Sequence, residues 1–262
     1  MSRMLTTIRD EMRRAQGLSK MGQNVLARHL LLDWLVRDGL SAQEIAAVRI
    51  ASAEVSLAQG RYREARRHLR HAERLGIQDA DLYYLWGRAH ENDPHGCDRT
   101  AARKFRKATI LNASEPKYRA ALGRALIRIS NVRSGVKVLR RAAEAAPTDP
   151  EVLDIVRDGL REAEEADLAL QILNKAMFLA PGSREVKYLW QRARFDATAQ
   201  QQKQSRKEMR PASDDRPVAI PFIRIHSETS NDVQADAKII RVRRDTPEHA
   251  EPRLAGLKAY RK

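Results

Sequence analysis

The chain has 262 residues, a formal charge of +15, 42% hydrophobic residues and only 5% aromatic ones. That is enough apolar material to bury a core, while no apolar run approaches the ~18 residues that a membrane-spanning helix needs. The single cysteine, Cys97, excludes an intramolecular disulfide. A lone thiol fits a reducing compartment, and Arg3, Arg9, Asp10 and Glu11 interrupt the start before any apolar run develops, so a cytoplasmic protein without a secretory leader is expected. Ala and Leu outweigh aromatic side chains, which suits closely stacked helices and an all-α class. The positive charge favours acidic partners, or serves solubility alone. Residues 184–262 hold 18 Lys and Arg against 11 Asp and Glu, so almost half of the excess lies there.

In chain order, residues 1–45 read as a polar lead and then a helix with a broad apolar face of Met21, Val25, Leu26, Leu30, Leu32 and Trp34, stopped near Gly39. This segment is expected to cap the helices C-terminal to it. Ser41, three residues before Glu44, forms a capping-box signature in which the hydroxyl and the carboxylate each satisfy an otherwise orphaned amide. A helix through Ala53 and Leu57 then turns at Gln59-Gly60 into a second one carrying Ala65, Leu69 and Ala72, which makes a unit at about 46–79. The next unit, 80–115, opens on Asp81-Leu82-Tyr83-Tyr84-Leu85-Trp86-Gly87 and continues with Ala101, Phe105 and Ala108. Its inter-helix turn is two residues longer and collects His90, Asp93, His95 and Cys97. Their spacing matches no zinc pattern, and Asp98 reads as a helix N-cap, so no metal ligands are assigned.

Between Lys117 and Gly182 one pattern is written twice. Leu122-Gly123, Leu126, Gly135, Leu139, Ala142 and Pro147 are answered 34 residues later by Val156-Arg157, Leu160, Ala169, Leu173, Ala176 and Pro181. Two amphipathic helices fit in that period, which marks a repeat architecture with units at 116–149 and 150–183. The pattern of a Leu-Gly pair, a later Ala, an aromatic or Leu, another Ala and a terminal Pro resembles the tetratricopeptide repeat (TPR). The resemblance implies an α-solenoid of four helix pairs over 46–183 that works as a binding scaffold, with the first helices forming a concave groove and the second helices a convex face. Two positions depart from it: Ala113 replaces the closing proline of the second unit, and Arg157 replaces the glycine of the fourth.

After Ser183 a capping helix continues through Val186, Leu189 and Trp190 into Gln200–Glu208, which has no apolar face and is expected to project as a basic polar extension, giving a segment at 184–210. Residues 211–262 form a basic tail punctuated by Pro211, Pro217 and Pro221, whose β-favouring runs at 218–226 and 238–243 predict a hairpin or a segment that orders on binding.

Two surfaces carry the functional expectations. The inward positions of the first helices include Tyr84, Arg88, Glu91, Lys117, Arg124 and Arg128, then Glu151, Asp154 and Asp158, a basic middle beside an acidic end suited to a protein or peptide partner. The carboxylate clamp of chaperone-binding members of the family is incomplete, because its opening positions hold Ile50 and Glu54. On the second helices, Arg67 and Arg70, Arg103 and Arg106, and Lys137 and Arg140 recur at equal offsets, as a basic ridge on which neighbouring helices about 8–10 Å apart could meet phosphates. The leading expectation is a protein-interaction scaffold. Alternatives are a nucleic-acid or ribonucleoprotein-associated factor using the ridge and tail, and a regulatory subunit whose tail adds a strand to an enzyme's sheet. Tyr83, Tyr84 and Trp86 could form a stacking platform, but Tyr83 and Trp86 fall on the apolar stripe of their helix and are expected as repeat core. No Gly-rich phosphate loop, paired helical histidines or nucleophile elbow is present, so no catalysis and no cofactor are expected, and the oligomeric state is not readable.

Overall fold

The computed structural model describes residues 2–208, which form a solenoid of helices. The pairs are α1 (Ser2–Lys20) with α2 (Asn24–Leu35), α3 (Ala42–Ala58) with α4 (Tyr62–Arg74), α5 (Ala80–Glu91) with α6 (Asp98–Leu111), α7 (Pro116–Arg128) with α8 (Val132–Ala145), and α9 (Pro150–Glu162) with α10 (Ala166–Leu179). A long α11 (Arg184–Glu208) comes last. Each second helix packs on the first helix of its own pair and of the next. The all-α solenoid expected from the repeats is what these residues form. The β-favouring runs of the tail lie outside the described residues.

Small residues make the stacking possible. A Cβ on Gly123 would come within 2.8 Å of Leu139 Cγ, and one on Gly135 within 2.7 Å of the Gly123 carbonyl oxygen, so α7 and α8 touch backbone to backbone. Leu139 fills the space Gly123 leaves and also reaches Gly159 of the next pair, while Ile127 packs against Gly135. Leu139 is fully buried; its truncation to Ala would cost about 2–5 kcal/mol through lost transfer energy and the cavity left behind. In the second unit Phe105 occupies the corresponding place against Gly87. The tight turns between paired helices need one left-handed residue, supplied by Gly60 (φ 70°) and, less comfortably, by Ser130 (φ 67°) and Glu164 (φ 59°).

Several expectations are corrected. Residues 2–20, read as a polar lead, form α1, because Ile8 and Ala15 lie two turns apart on one face and bury against α2 and α3. The broad apolar face expected on α2 is narrow: Ala27, Leu31 and Trp34 are buried, while Met21, Val25 and Leu26 are exposed. Asp98 is the first residue of α6 and Cys97 takes the cap position, without a side-chain hydrogen bond. The polar end of α11 does not simply project. Gln200 Oε1 accepts from the Ala166 amide at 2.9 Å and its Nε2 donates to the Glu164 carbonyl, closing the turn between α9 and α10. The capping box is present as read, with Ser41 Oγ accepting from the Glu44 amide at 3.3 Å and Glu44 accepting from the Ser41 amide at 2.7 Å.

Candidate functional site: the concave face and its charges

The inner face is a ladder of arginines and carboxylates crossing from pair to pair. Glu91, at the end of α5, has a fully buried side chain and accepts two hydrogen bonds from Arg124 of α7, Nε at 2.8 Å and Nη2 at 2.6 Å. Arg128, one turn on, forks onto Glu162 of α9 at 2.9 and 2.8 Å and donates to the Glu91 carbonyl at 3.4 Å. Burial lowers the Arg124 pKa, but the hydrogen bonds and charge of Glu91 outweigh it and the net shift is upward. The Arg128 pKa is also raised, chiefly by its bonds to Glu162, with the Glu91 charge adding to them.

Arg157 is the next rung. It stands where the repeat pattern has glycine, its side chain is 2% exposed, and it bonds Asp196 of α11 at 2.8 Å and Asp158 at 2.5 Å. Asp154 lies 3.7 Å from its Nε and 3.6 Å from Arg192 of α11. Thus Arg124, Arg128, Asp154 and Asp158, expected as partner-binding positions, are engaged with one another and with Glu91, Arg157 and Glu162. A basic middle beside an acidic end is self-complementary when both are presented one repeat apart.

Tyr84, Arg88 and Lys117 are brought together differently. The Tyr84 ring packs between Phe105 and Tyr118, with centroids 5.9 and 5.2 Å away. Arg88 and Lys117 stand over it at 5.9 and 5.8 Å. Burial pushes the Tyr84 hydroxyl up to about 12, and Arg88 opposes the shift. Lys117 touches Asp81 only at 4.0 Å, while Asp81 accepts the Tyr118 hydroxyl at 2.6 Å. Arg88 has no carboxylate partner among the described residues. A separate cavity of about 500 Å³ is lined by Met12 and Arg13 of α1, Ile50 and Glu54 of α3, and Ile77 and Asp79 between α4 and α5.

The stacking-platform reading fails on burial. Tyr83 is 0% and Trp86 6% exposed. Tyr83 accepts from Lys107 at 2.6 Å and donates to Glu73 at 3.1 Å, and Lys104 sits 3.3 Å over the Trp86 ring. The enlarged turn after α5 is pinned by Asp93, which bonds Arg66 at 2.7 Å and the His95 amide at 3.0 Å. Those two bonds, largest first the one from the His95 amide, hold the Asp93 pKa down.

On the convex face all six expected ridge residues are exposed. The second helices pack on first helices more than on one another, so the ridge is wider than a ladder of directly packed helices. Sequence reasoning missed Arg157 as a junction and did not see that Glu91 is buried. The available signal was the spacing of opposite charges by about one repeat, as in Glu91 with Arg124 and Arg128 with Glu162.

No protein-family model matches the sequence, and no curated protein sequence matches it. Solved structures do. TTC0263, a thermophilic TPR protein of Thermus thermophilus, superposes with a TM-score of 0.58 at 15% identity over 72% of this chain and 99% of its own. The Cut9–Hcn1 hetero-tetramer of the APC/C gives 0.52 at 17% identity, over 68% of this chain and 34% of that one. The C-terminal part of a TPR repeat-containing protein from Cytophaga hutchinsonii gives 0.51 at 14% identity, over 75% and 73%. These likenesses define the fold: the described residues form a helical-repeat solenoid of the TPR type. Among the described residues no helix is long and apolar enough to cross a membrane.

Proposed function

We propose that this solenoid is a non-catalytic, cytoplasmic protein-interaction scaffold that binds an acidic partner segment along its concave groove, anchored at Tyr84, Arg88 and Lys117. The observation that carries the reading is the contrast on one face: Arg124, Arg128 and Arg157 are held by carboxylates, whereas Arg88 has none and Lys117 only a long contact to Asp81. A cation without a close carboxylate, standing over the buried Tyr84 ring, is suited to a carboxylate on an incoming chain. The cavity walled by Met12, Ile50 and Ile77 is of a size to take an apolar side chain of the partner.

An array of acidic peptides read by fluorescence anisotropy tests this. The paired substitution Arg88→Ala and Lys117→Ala should weaken the best peptides at least about tenfold, the loss of one or two charge-assisted hydrogen bonds. The helical content should stay unchanged. Peptides that bind the double variant as tightly as the parent would refute the anchor.

A further inference from the structure

The convex face carries more than the six cations that the repeat offsets pick out. Each second helix of three successive pairs presents an exposed stripe at spacing i, i+4, i+7. On α4 these positions are Arg63, Arg67 and Arg70. On α6 they are Arg99, Arg103 and Arg106, and on α8 Arg133, Lys137 and Arg140. All nine are exposed, and none is in an ion pair among the described residues. Carboxylates on α4 are turned elsewhere, Glu64 to Arg28 at 2.9 Å and Glu73 to Lys104 at 3.4 Å. The grid has edges. On α10 the same stripe reads Asp167, Gln171 and Asn174, and on α2 it reads Val25, His29 and Leu32.

We propose that this grid is a binding surface for the phosphate backbone of double-stranded nucleic acid, read without regard to sequence. Eight of the nine cations are arginine, whose planar fork matches a phosphate in two hydrogen bonds and is weakly hydrated. Leaving nine neighbouring cations without counter-charges is unfavourable unless an anion shares the face, and the groove of this chain shows that it pairs arginine with carboxylate elsewhere. A stripe from i to i+7 spans about 10 Å along its helix, and three successive pairs extend it across the solenoid, enough to touch several phosphates of one duplex. No aromatic side chain belongs to the grid, so unpaired bases would find nothing to stack on, which selects the duplex over a single strand. The exposed large apolar residues on these three helices, Ile110 and Leu111 at the end of α6 and Val132 at the start of α8, form no continuous face to enter a bilayer.

The test uses the full chain, a short random-sequence DNA duplex, and titrations from about 50 to about 200 mM salt. The parent should bind with a steep salt dependence, weakening by about a thousandfold or more over that range, as expected for six or more phosphate contacts. The quadruple variant R67E/R70E/R103E/R106E should bind at least about a hundredfold more weakly at the lower salt, with the slope of log K against log salt reduced by about 3 to 4. Because none of these side chains contacts a carboxylate, helical content and thermal midpoint should be those of the parent, and a variant with the four arginines changed to lysine should keep most of the affinity. Duplex binding that is unchanged in the quadruple variant overturns the proposal by placing the contact elsewhere in the chain. A parent that ignores the duplex but binds polyglutamate or anionic vesicles through the same four arginines overturns it too, and assigns the grid to an acidic protein or a membrane surface.

Discussion

Substituting Glu91 by Gln tests whether the concave ladder holds the repeats together. The change is isosteric and removes one charge from a side chain with no exposed surface, which faces Arg124 at 2.6 and 2.8 Å and Arg128 at 3.7 Å. Arg124 is itself only 16% exposed, so its guanidinium cannot recover full hydration. Stranding one partner of a buried pair costs about 3–5 kcal/mol, whereas an exposed pair is worth under about 1 kcal/mol. We expect about 3 kcal/mol, since Gln keeps one acceptor. The location matters as much as the size. α5 and α7 make little direct backbone contact, and the gap between them is bridged by Glu91 with Arg124, by Asp81 with Tyr118, and by the Tyr84 and Tyr118 rings. The loss should therefore appear as separate melting of the two halves of the array, since repeat proteins are stabilised by nearest-neighbour interfaces. Urea unfolding monitored by circular dichroism, together with amide exchange on α5 and α7, would report both. A variant that loses less than about 1 kcal/mol and unfolds in a single transition would refute the ladder as a structural element.

Backbone contacts give a second set of expectations. Gly135→Ala should cost about 2–3 kcal/mol by overpacking, because the new methyl meets the Gly123 carbonyl at 2.7 Å. Gly17→Ala, inside α1 with nothing within 4 Å, should stabilise by about 0.5–1 kcal/mol. Ser130→Gly should likewise gain up to about 1 kcal/mol by relieving φ 67°. Thermal melts of the three variants decide these together. His68 is buried, and burial first, then the charge of Arg49 beside its Nδ1 at 3.3 Å, lowers its pKa below the usual value. The folded chain therefore binds this proton less readily than the unfolded one, so the contribution is present above about pH 6.5 and lost as pH falls through the lowered value. The thermal midpoint should drop more between about pH 8 and about pH 5 in the parent than in His68→Gln, and equal drops would exclude this residue.

What could be read from the sequence was whatever depends on periodicity. The 34-residue echo from Leu122-Gly123 to Val156-Arg157 placed two helix pairs, and Ser41 with Glu44 placed the start of α3, because a cap and a repeat are local. Polar stretches misled for a physical reason. Few apolar residues suffice when a helix needs only a narrow stripe against two neighbours, so α1 was hidden by its charges, and Gln200 looked free although it closes a turn. The groove was half legible. Inward positions can be counted off the repeat, and Tyr84, Arg88 and Lys117 do converge. Whether an inward arginine is open or occupied depends on a residue about a repeat away in space, and Arg88 and Arg124 look alike in sequence.

Arg157 brings the two kinds of reasoning into direct conflict. Family resemblance puts glycine there and predicts that Arg157→Gly, by restoring close helix packing, should stabilise the fourth unit. The contacts predict the opposite. Arg157 is the cation shared by Asp158, Asp196 and Asp154, and its removal leaves Asp196 without a cation among the described residues and Asp158 with only the long contact to Arg124 at 3.9 Å, while Asp154 keeps Arg192 at 3.6 Å. Asp196 and Asp158 are 18% and 26% exposed, so they regain some water and the loss should fall below that of a fully buried pair, at about 2 kcal/mol. α11 should suffer first, since Asp196 makes its shortest ion pair to α9, and its amides should exchange faster while those of α3 to α6 keep their protection. Raising the salt should recover part of the loss by screening the stranded acids. A more stable Arg157→Gly variant would mean that the arginine is tolerated by the array rather than used by it, and that the last helix is held by the buried Val186, Leu189 and Ala193, the Arg192–Asp154 pair and the Gln200 bonds to the turn between α9 and α10.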